Sequence, residues 1–236
     1  TVFHKHPDRP LIMALSRPDE RKNILTLLQA YGESSELQNK ANLLIIAGTR
    51  DDIHDLDKGA RNVFKNILMV IDNYDLYGKV AIPKSHKPDE VPQIYRLAAA
   101  SKGIFINPAL TEPFGLTILE AAASGLPIVA TENGGPVDIL ANCKCGQLID
   151  PLDKPAITEA LLGYLSDPKA WSQASNNGIK GVRKHYSWQA HTRKYLKTVL
   201  KLEGKYVPLP ENKPASKGLR HRDRALYSDL DQNLIG

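Results

Sequence analysis

The chain predicts an α/β fold, a parallel sheet with helices on both faces, and three observations carry that expectation. Short runs of Ile, Leu and Val alternate with longer segments of helical period, the runs are apolar nearly throughout, and polar residues collect immediately after each run. Continuously apolar runs suit strands buried on both sides, and alternation of strand with helix is how a parallel sheet is connected.

The elements follow in order. Residues 11–15 open the sheet, and Ile24, Leu27, Leu28 and Tyr31 then recur at three- and four-residue steps as one helical stripe. The second run, 43–47, precedes the stripe Val63, Ile67, Leu68 and Ile71, and the third, 80–82, precedes Val91, Ile94, Tyr95 and Ala98. The fourth run, 103–106, leads through Glu112-Pro-Phe-Gly-Leu-Thr-Ile-Leu-Glu120 into a helix. After the fifth, 128–130, comes Thr131-Glu-Asn-Gly-Gly-Pro136, with Pro136 suited to a first helical position. A sixth run, 147–149, is followed by helical pattern over 157–165, 171–186 and 187–202. Beyond Glu203 the periodicity stops, and 206–218 reads as a Pro-rich linker.

Composition narrows the function. With 236 residues and 42% hydrophobic content the chain can bury a sizeable core, and no apolar run approaches the ~18 residues of a membrane span. The start, Thr1-Val-Phe-His-Lys-His-Pro7, has no signal-peptide character and reads as an internal beginning, so a fragment is expected. Cys143 and Cys145 are the only cysteines, without further His or Cys at zinc spacing, and read as free thiols of a reducing cytoplasm. Residues 178–224 hold 13 Lys/Arg against 3 Asp/Glu, so the net +5 belongs to this stretch and the rest of the chain is acidic. Few aromatics interleave with these cations and no nucleic-acid module is recognisable, so solvated helix faces and a linker are expected, with neither a nucleic-acid nor a membrane partner.

In open parallel sheets ligands bind beyond the carboxyl ends of the strands, which makes the residues after each run the candidate site. Ser16, Arg17 and Lys22 follow the first run, Gly48, Arg50, Asp51 and Asp52 the second, and Pro83, Lys84, His86 and Lys87 the third. Arg17 and Lys22, at a strand end and in the opening turn of a helix, can converge on one anion together with the helix's positive pole, and a diphosphate is their natural target. Charge growing on a leaving phosphate would be stabilised there more than in the ground state. Glu112 on the loop suits a sugar hydroxyl, beside the amides of Phe114, Gly115 and Leu116, and Gly115 permits close backbone approach. Glu120, on the helix, suits a vicinal diol such as a ribose. Paired carboxylates also serve glycoside hydrolases as acid and base or nucleophile, and these residues alone leave both uses open.

The combination E-P-F-G-L-T-x-x-E with an upstream R-x4-K resembles the retaining glycosyltransferases of the two-domain GT-B fold. Arg50-Asp-Asp-Ile53, the run from Tyr74 to Lys87, Val91 to Ala99 and Phe105-Ile-Asn-Pro-Ala109 are similar to the sucrose-phosphate synthases, over about residues 9–200. The resemblance implies a Rossmann-like sheet forming the C-terminal half of a GT-B enzyme. It implies glucose transfer from UDP-glucose to fructose 6-phosphate with retention. Arg17 and Lys22 would bind the diphosphate, Glu112 and the following amides through Thr117 the glucosyl group, and Glu120 the ribose. Lys84 would lie by the uracil, and Gly48 counts among the substrate-binding positions. The acceptor pocket would belong largely to an N-terminal domain that this sequence lacks, making residues 1–202 a donor half that is inactive by itself. No cofactor is implied, and Mg²⁺ is neither demanded nor barred. Residues 225–236 resemble the opening of haloacid-dehalogenase-like phosphohydrolases, with Asp229 as nucleophile and Asp231 as acid/base, although Asn233 stands where that family has Thr. The organisation expected is a donor domain over 1–202, a basic linker over 203–224 and a truncated second module over 225–236. The sucrose synthases, which accept free fructose, are one rival, and a non-catalytic nucleotide-sugar-binding module is another. A dehydrogenase is disfavoured because no G-x-G-x-x-G follows the first run.

Overall fold

Strand β1 (Leu11–Leu15) pairs in parallel with β2 (Asn42–Ile46) on one side and β4 (Ile104–Asn107) on the other, Met13 lying opposite both Leu44 and Phe105. The computed structural model describes residues 6–202. Beyond β2 lies β3 (Val80–Ala81), and beyond β4 lie β5 (Ile128–Thr131) and β6 (Gly146–Ile149), giving six strands in the order β3-β2-β1-β4-β5-β6. Every pairing is parallel.

Period-two alternation sorts each strand between two cores. Ile12, Ala14, Leu43, Ile45, Ile104, Ile106 and Val129 face a cluster completed by α1 (Ile24–Glu33), α3 (Lys58–Asn73) and α7 (Lys154–Ser166). Leu11, Met13, Leu44, Ile46, Phe105, Ile128 and Ala130 face the opposite cluster, closed by α4 (Val91–Ala100), α5 (Leu116–Ala123), α6 (Pro136–Cys143) and α8 (Pro168–His185). The stripes anticipated in α1 and α3 point inward, with Leu27, Leu28, Tyr31 and Ile67 fully buried. Leu68 is half exposed and lies off the stripe. Cys143 and Cys145 are free and buried within the second cluster.

The strand boundaries differ from the expected ones by at most a residue, and α7 and α8 each start three residues earlier. The third strand pairs over only two residues, on the sheet edge, because Pro83 offers no N–H to extend the ladder. Helix α8 starts three residues earlier than its apolar pattern, because Asp167 caps it by accepting from the amides of Lys169 and Ala170 ahead of Trp171. One helix was not anticipated. This is α2 (Ser35–Lys40), capped by the Ser34 hydroxyl and burying only Leu37, too short for a period to register. The last described helix is α9 (Trp188–Leu202). The expected linker and the phosphohydrolase-like stretch with Asp229 and Asp231 lie outside the described residues. Among the described residues no helix is long and apolar enough to cross a membrane.

The strand order reverses between β1 and β4, since the chain builds outward through β2 and β3 and then returns to the other side of β1. The loops leaving β1 and β4 therefore diverge to opposite faces, and a crevice opens between them at the carboxyl edge.

Candidate active site at the reversal of strand order

An open depression of about 170 Å³ lies at that reversal, lined by Ala14, Leu15 and Ser16 of β1 and its exit, Lys22 and Ile24, and Ile106, Asn107 and Pro108 of β4 and its exit. After β1, Asp19 caps a single 3₁₀ turn, Glu20–Lys22, by accepting from the Arg21 amide. The turn aims Lys22 across the crevice, where its Nζ donates to Glu112 Oε2 at 2.7 Å. Asn107 Nδ2, at the end of β4, donates to the same oxygen at 3.2 Å. The two side chains of the pair are only 21% and 12% exposed, so the contact sits between a surface ion pair, worth about 0–1 kcal/mol, and a buried one.

Burial pushes the Glu112 carboxyl up, but the hydrogen bonds from Lys22 and Asn107, the Lys22 charge and the Phe114 amide outweigh it, so its pKa falls below the ordinary carboxylate value. Glu120 shifts the other way. It is exposed as a residue, but desolvation of its carboxyl raises its pKa, and the hydrogen bond it receives from Tyr95 only partly offsets this. Tyr95 is fully buried, meets Phe105 edge to face at 5.7 Å between ring centres, and donates to Glu120 Oε2 at 3.1 Å. The two glutamates of the motif therefore have separate partners and are not an acid/base couple sharing a proton.

Backbone geometry fixes the Glu112 loop. The Glu112 amide donates to Asn133 O at 3.0 Å and the Gly135 amide to Glu112 O at 2.8 Å, so the loop after β4 is laced to the loop after β5. The close approach requires glycine: at Gly134, where φ is +112°, a Cβ would stand 2.3 Å from Glu112 O, and at Gly135 one would stand 2.2 Å from Phe114 O. Helix α5 starts from Gly115, at φ +103°, and no side chain caps it. Its first-turn amides face the carboxyl edge with the helix's positive pole, flanked by Phe114 and Leu116, both more than half exposed.

The remaining expected positions are distributed around this centre. Arg17 is exposed at the exit of β1 and makes no hydrogen bond to a described residue through its guanidinium. Thr117 lies in the first turn of α5, and its carbonyl accepts from Tyr95 at 3.4 Å. Gly48, at φ +72°, packs near Pro18 on the adjacent loop. Lys84 is farther out, where its Nζ donates to Asp51 O and its own carbonyl accepts from the Arg50 amide. Arg50, a candidate cation by position, is committed to structure: it donates to Pro83 O and Ile82 O and lies 4.0 Å over the Phe64 ring. Among the described residues no cluster of His, Cys, Asp or Glu could hold a metal ion. Sequence reading missed Asn107, Tyr95, Asn23 and the fastening role of Gly134-Gly135. The Gly-Gly pair is the one signal that was available, because paired glycines after a strand mark a close backbone approach.

A doubly wound parallel sheet with a cation, a carboxylate and an uncapped helix start at its reversal is the architecture of one half of a GT-B glycosyltransferase, and solved structures superpose on it accordingly. A sucrose-phosphate synthase from Thermosynechococcus elongatus matches 84% of this chain and 47% of its own, with 26% identity and a TM-score of 0.69. HepE from Anabaena, solved with UDP and glucose, matches 82% of this chain and 49% of its own, with 16% identity and a TM-score of 0.69. The chain belongs to the glycosyl transferases group 1 family, which it matches over residues 2–181. Among curated proteins it is 56% identical to a probable sucrose-phosphate synthase 5 of Oryza sativa subsp. japonica, over 84% of this chain but 19% of that protein. It thus spans about a fifth of the length of that relative.

Two outcomes are expected from this geometry. Glu112 titrates at a lowered pKa, so its contribution to stability is complete above the ordinary carboxylate pKa of about 4.3 and is lost as pH falls through the folded value. Glu112→Gln should therefore show a shallower loss of stability than wild type in urea titrations on the acid side of about pH 4.3, and identical slopes would contradict the assignment. Gly134→Ala should displace Glu112 and abolish ligand binding at the crevice while far-ultraviolet circular dichroism stays native, whereas unchanged binding would show that the fastening of the two loops is dispensable.

Proposed function

We propose that this chain is the donor half of a retaining glucosyltransferase that moves glucose from UDP-glucose to fructose 6-phosphate, giving sucrose 6-phosphate. The observation that carries the reading is the Lys22–Glu112 contact beside the uncapped start of α5, at the reversal of strand order. A nucleotide sugar offers a diphosphate and hydroxyls in series, matching a cation, oriented amides and carboxylates in series. The neighbour with bound UDP and glucose, and the identity of 56% to a sucrose-phosphate synthase, support the same assignment of substrates.

In this reading Lys22 and the exposed Arg17 take the diphosphate, and their charge grows in value as the sugar–phosphate bond breaks and the leaving UDP becomes more negative. Lys22 exchanges part of its contact with Glu112 for phosphate oxygens, and the freed carboxylate oxygen accepts from a glucose hydroxyl. The pair therefore holds both groups in place before the donor arrives, which lowers the ordering cost of binding. The amides of Gly115, Leu116 and Thr117 bind the sugar's other side, while the Phe114 amide stays on the Glu112 carboxylate. Glu120, which accepts from Tyr95, takes the ribose in this reading. Lys84, on the loop after β3, lies by the base, and Gly48, on the loop after β2, is a further substrate-binding position. Arg17, Lys22 and the helix amides neutralise the diphosphate without a required cofactor.

The crevice is open to solvent and is not an enclosed small-molecule pocket. Exposed Leu110, Phe114, Leu116, Val137 and Leu152 stand on loops and helix starts following β4, β5 and β6, at the same carboxyl edge of the sheet. Both features fit a site with a second wall, the N-terminal acceptor domain of the same protein, and closure between the two would exclude water from the reaction. The reading puts the enzyme in the cytoplasm, where reduced Cys143 and Cys145 persist.

The test is sucrose 6-phosphate formation by the full-length protein. Lys22→Ala and Glu112→Ala should each lower kcat by about 10²-fold or more, as loss of a transition-state contact does. Undiminished turnover in both would remove their assigned roles. A strong preference for unphosphorylated fructose would move the protein to the sucrose synthase reaction, and UDP-glucose binding without turnover would reduce it to a binding module.

A further inference from the structure

Asn23 follows Lys22 directly and sits at φ 55°, ψ 33°, in the left-handed region that Asn tolerates better than most side chains. Its backbone amide closes the 3₁₀ turn onto Glu20 O. Its side chain reaches in the opposite direction, and Nδ2 donates to Pro108 O at 3.0 Å and to Pro151 O at 2.7 Å. The hydroxyl of Thr26 donates to Asn23 Oδ1 at 2.6 Å. Two carbonyl oxygens on one end of the amide and a hydroxyl on the other fix which end is nitrogen. One side chain thus joins the exit of β1 to the exits of β4 and β6, segments 85 and 128 residues away in sequence. Beside it, the Leu110 amide donates to Arg21 O at 2.9 Å, so the turn carrying Lys22 is fastened to the β4 exit on both sides of that lysine.

We propose that Asn23 is a positioning residue for the anion site: it sets where the Lys22 ammonium stands relative to Glu112 and the donor's diphosphate by holding the β1, β4 and β6 exits together. The proposal rests on the donor-site reading above. Lys22 reaches across a crevice whose far wall is Asn107 and Pro108, and Asn23 grips that wall at Pro108. Without this grip the 3₁₀ turn keeps its backbone bonds, but the distance between the two walls is no longer fixed. A long, flexible lysine side chain then loses the preorganisation that makes its charge effective. The residue touches neither the diphosphate nor the sugar and acts through Lys22 alone.

This role differs from a purely structural one in what it predicts for two ligands. UDP carries the diphosphate and uridine does not, so only UDP should report on Asn23. Calorimetric titration of the full chain compares wild type, Asn23→Gly, Lys22→Ala and the double variant. Glycine keeps the left-handed backbone and removes both donors. Asn23→Gly should bind UDP roughly tenfold more weakly, the scale of weakening one charge-assisted hydrogen bond, with uridine within about twofold of wild type. The double variant should bind UDP no more weakly than Lys22→Ala alone, because the two act through one group. Equal weakening toward uridine, or additive losses in the double variant, would overturn the proposal in favour of a general structural role. Weakened UDP binding in Lys22→Ala with none in Asn23→Gly removes the proposal and leaves the donor reading standing. Unchanged binding in Lys22→Ala removes both. Should Asn23→Gly fail to fold, Thr26→Val, which only frees the Asn23 amide to turn, carries the test with an expected loss of about two- to threefold for UDP and none for uridine.

Discussion

Burial of a parallel sheet on both faces is the constraint on which the rest of this structure depends. Strands β1, β2, β4 and β5 give alternate side chains to two separate cores, so they have no free face for polar chemistry and their middles are closed to ligands. Only the strand ends remain. The order β3-β2-β1-β4-β5-β6 then selects one position among them, because only between β1 and β4 do successive connections leave to opposite sides. Lys22 and Glu112 meet there for a topological reason, 90 residues apart in sequence and 2.7 Å apart in space.

The loops at that edge are held by backbone and amide contacts more than by packing. Gly134 and Gly135 let two strand exits run side by side, Asn23 and Arg21 O tie the β1 and β4 exits with hydrogen bonds, and Asn107 holds Glu112 within the β4 exit. Such contacts are directional, and they fix side-chain heads to within a fraction of an ångström where apolar packing would allow sliding. Apolar side chains on the same carboxyl edge, from Leu110 to Leu152, stay exposed.

Much of the sheet was legible because each strand obeys one rule that composition can express: all six expected runs fall on strands within a residue of their ends, β3 being cut short by a visible proline. Helix α2 was not legible, since one buried residue in six has no period to detect. The Arg17, Lys22, Glu112 and Glu120 positions were legible as post-strand polar residues, but their relations were not. The structure separates Glu120, whose pKa is raised by desolvation of its carboxyl, from Glu112, whose pKa is lowered by Lys22 and Asn107. It also removes Arg50 from the free cations, because Phe64, Ile82 O and Pro83 O claim its guanidinium.

The sequence by itself determined the fold class, the register of each helix stripe, the place along the chain where polar chemistry collects, and the family, because burial pattern and turn chemistry are local properties of the chain. Tertiary structure alone decided which of those polar residues face one another. Partnership between Lys22 and Glu112, between Tyr95 and Glu120, and between Asn23 and two distant prolyl carbonyls depends on the order in which parallel strands pair, and that order is set by the packing of helices that no local pattern encodes.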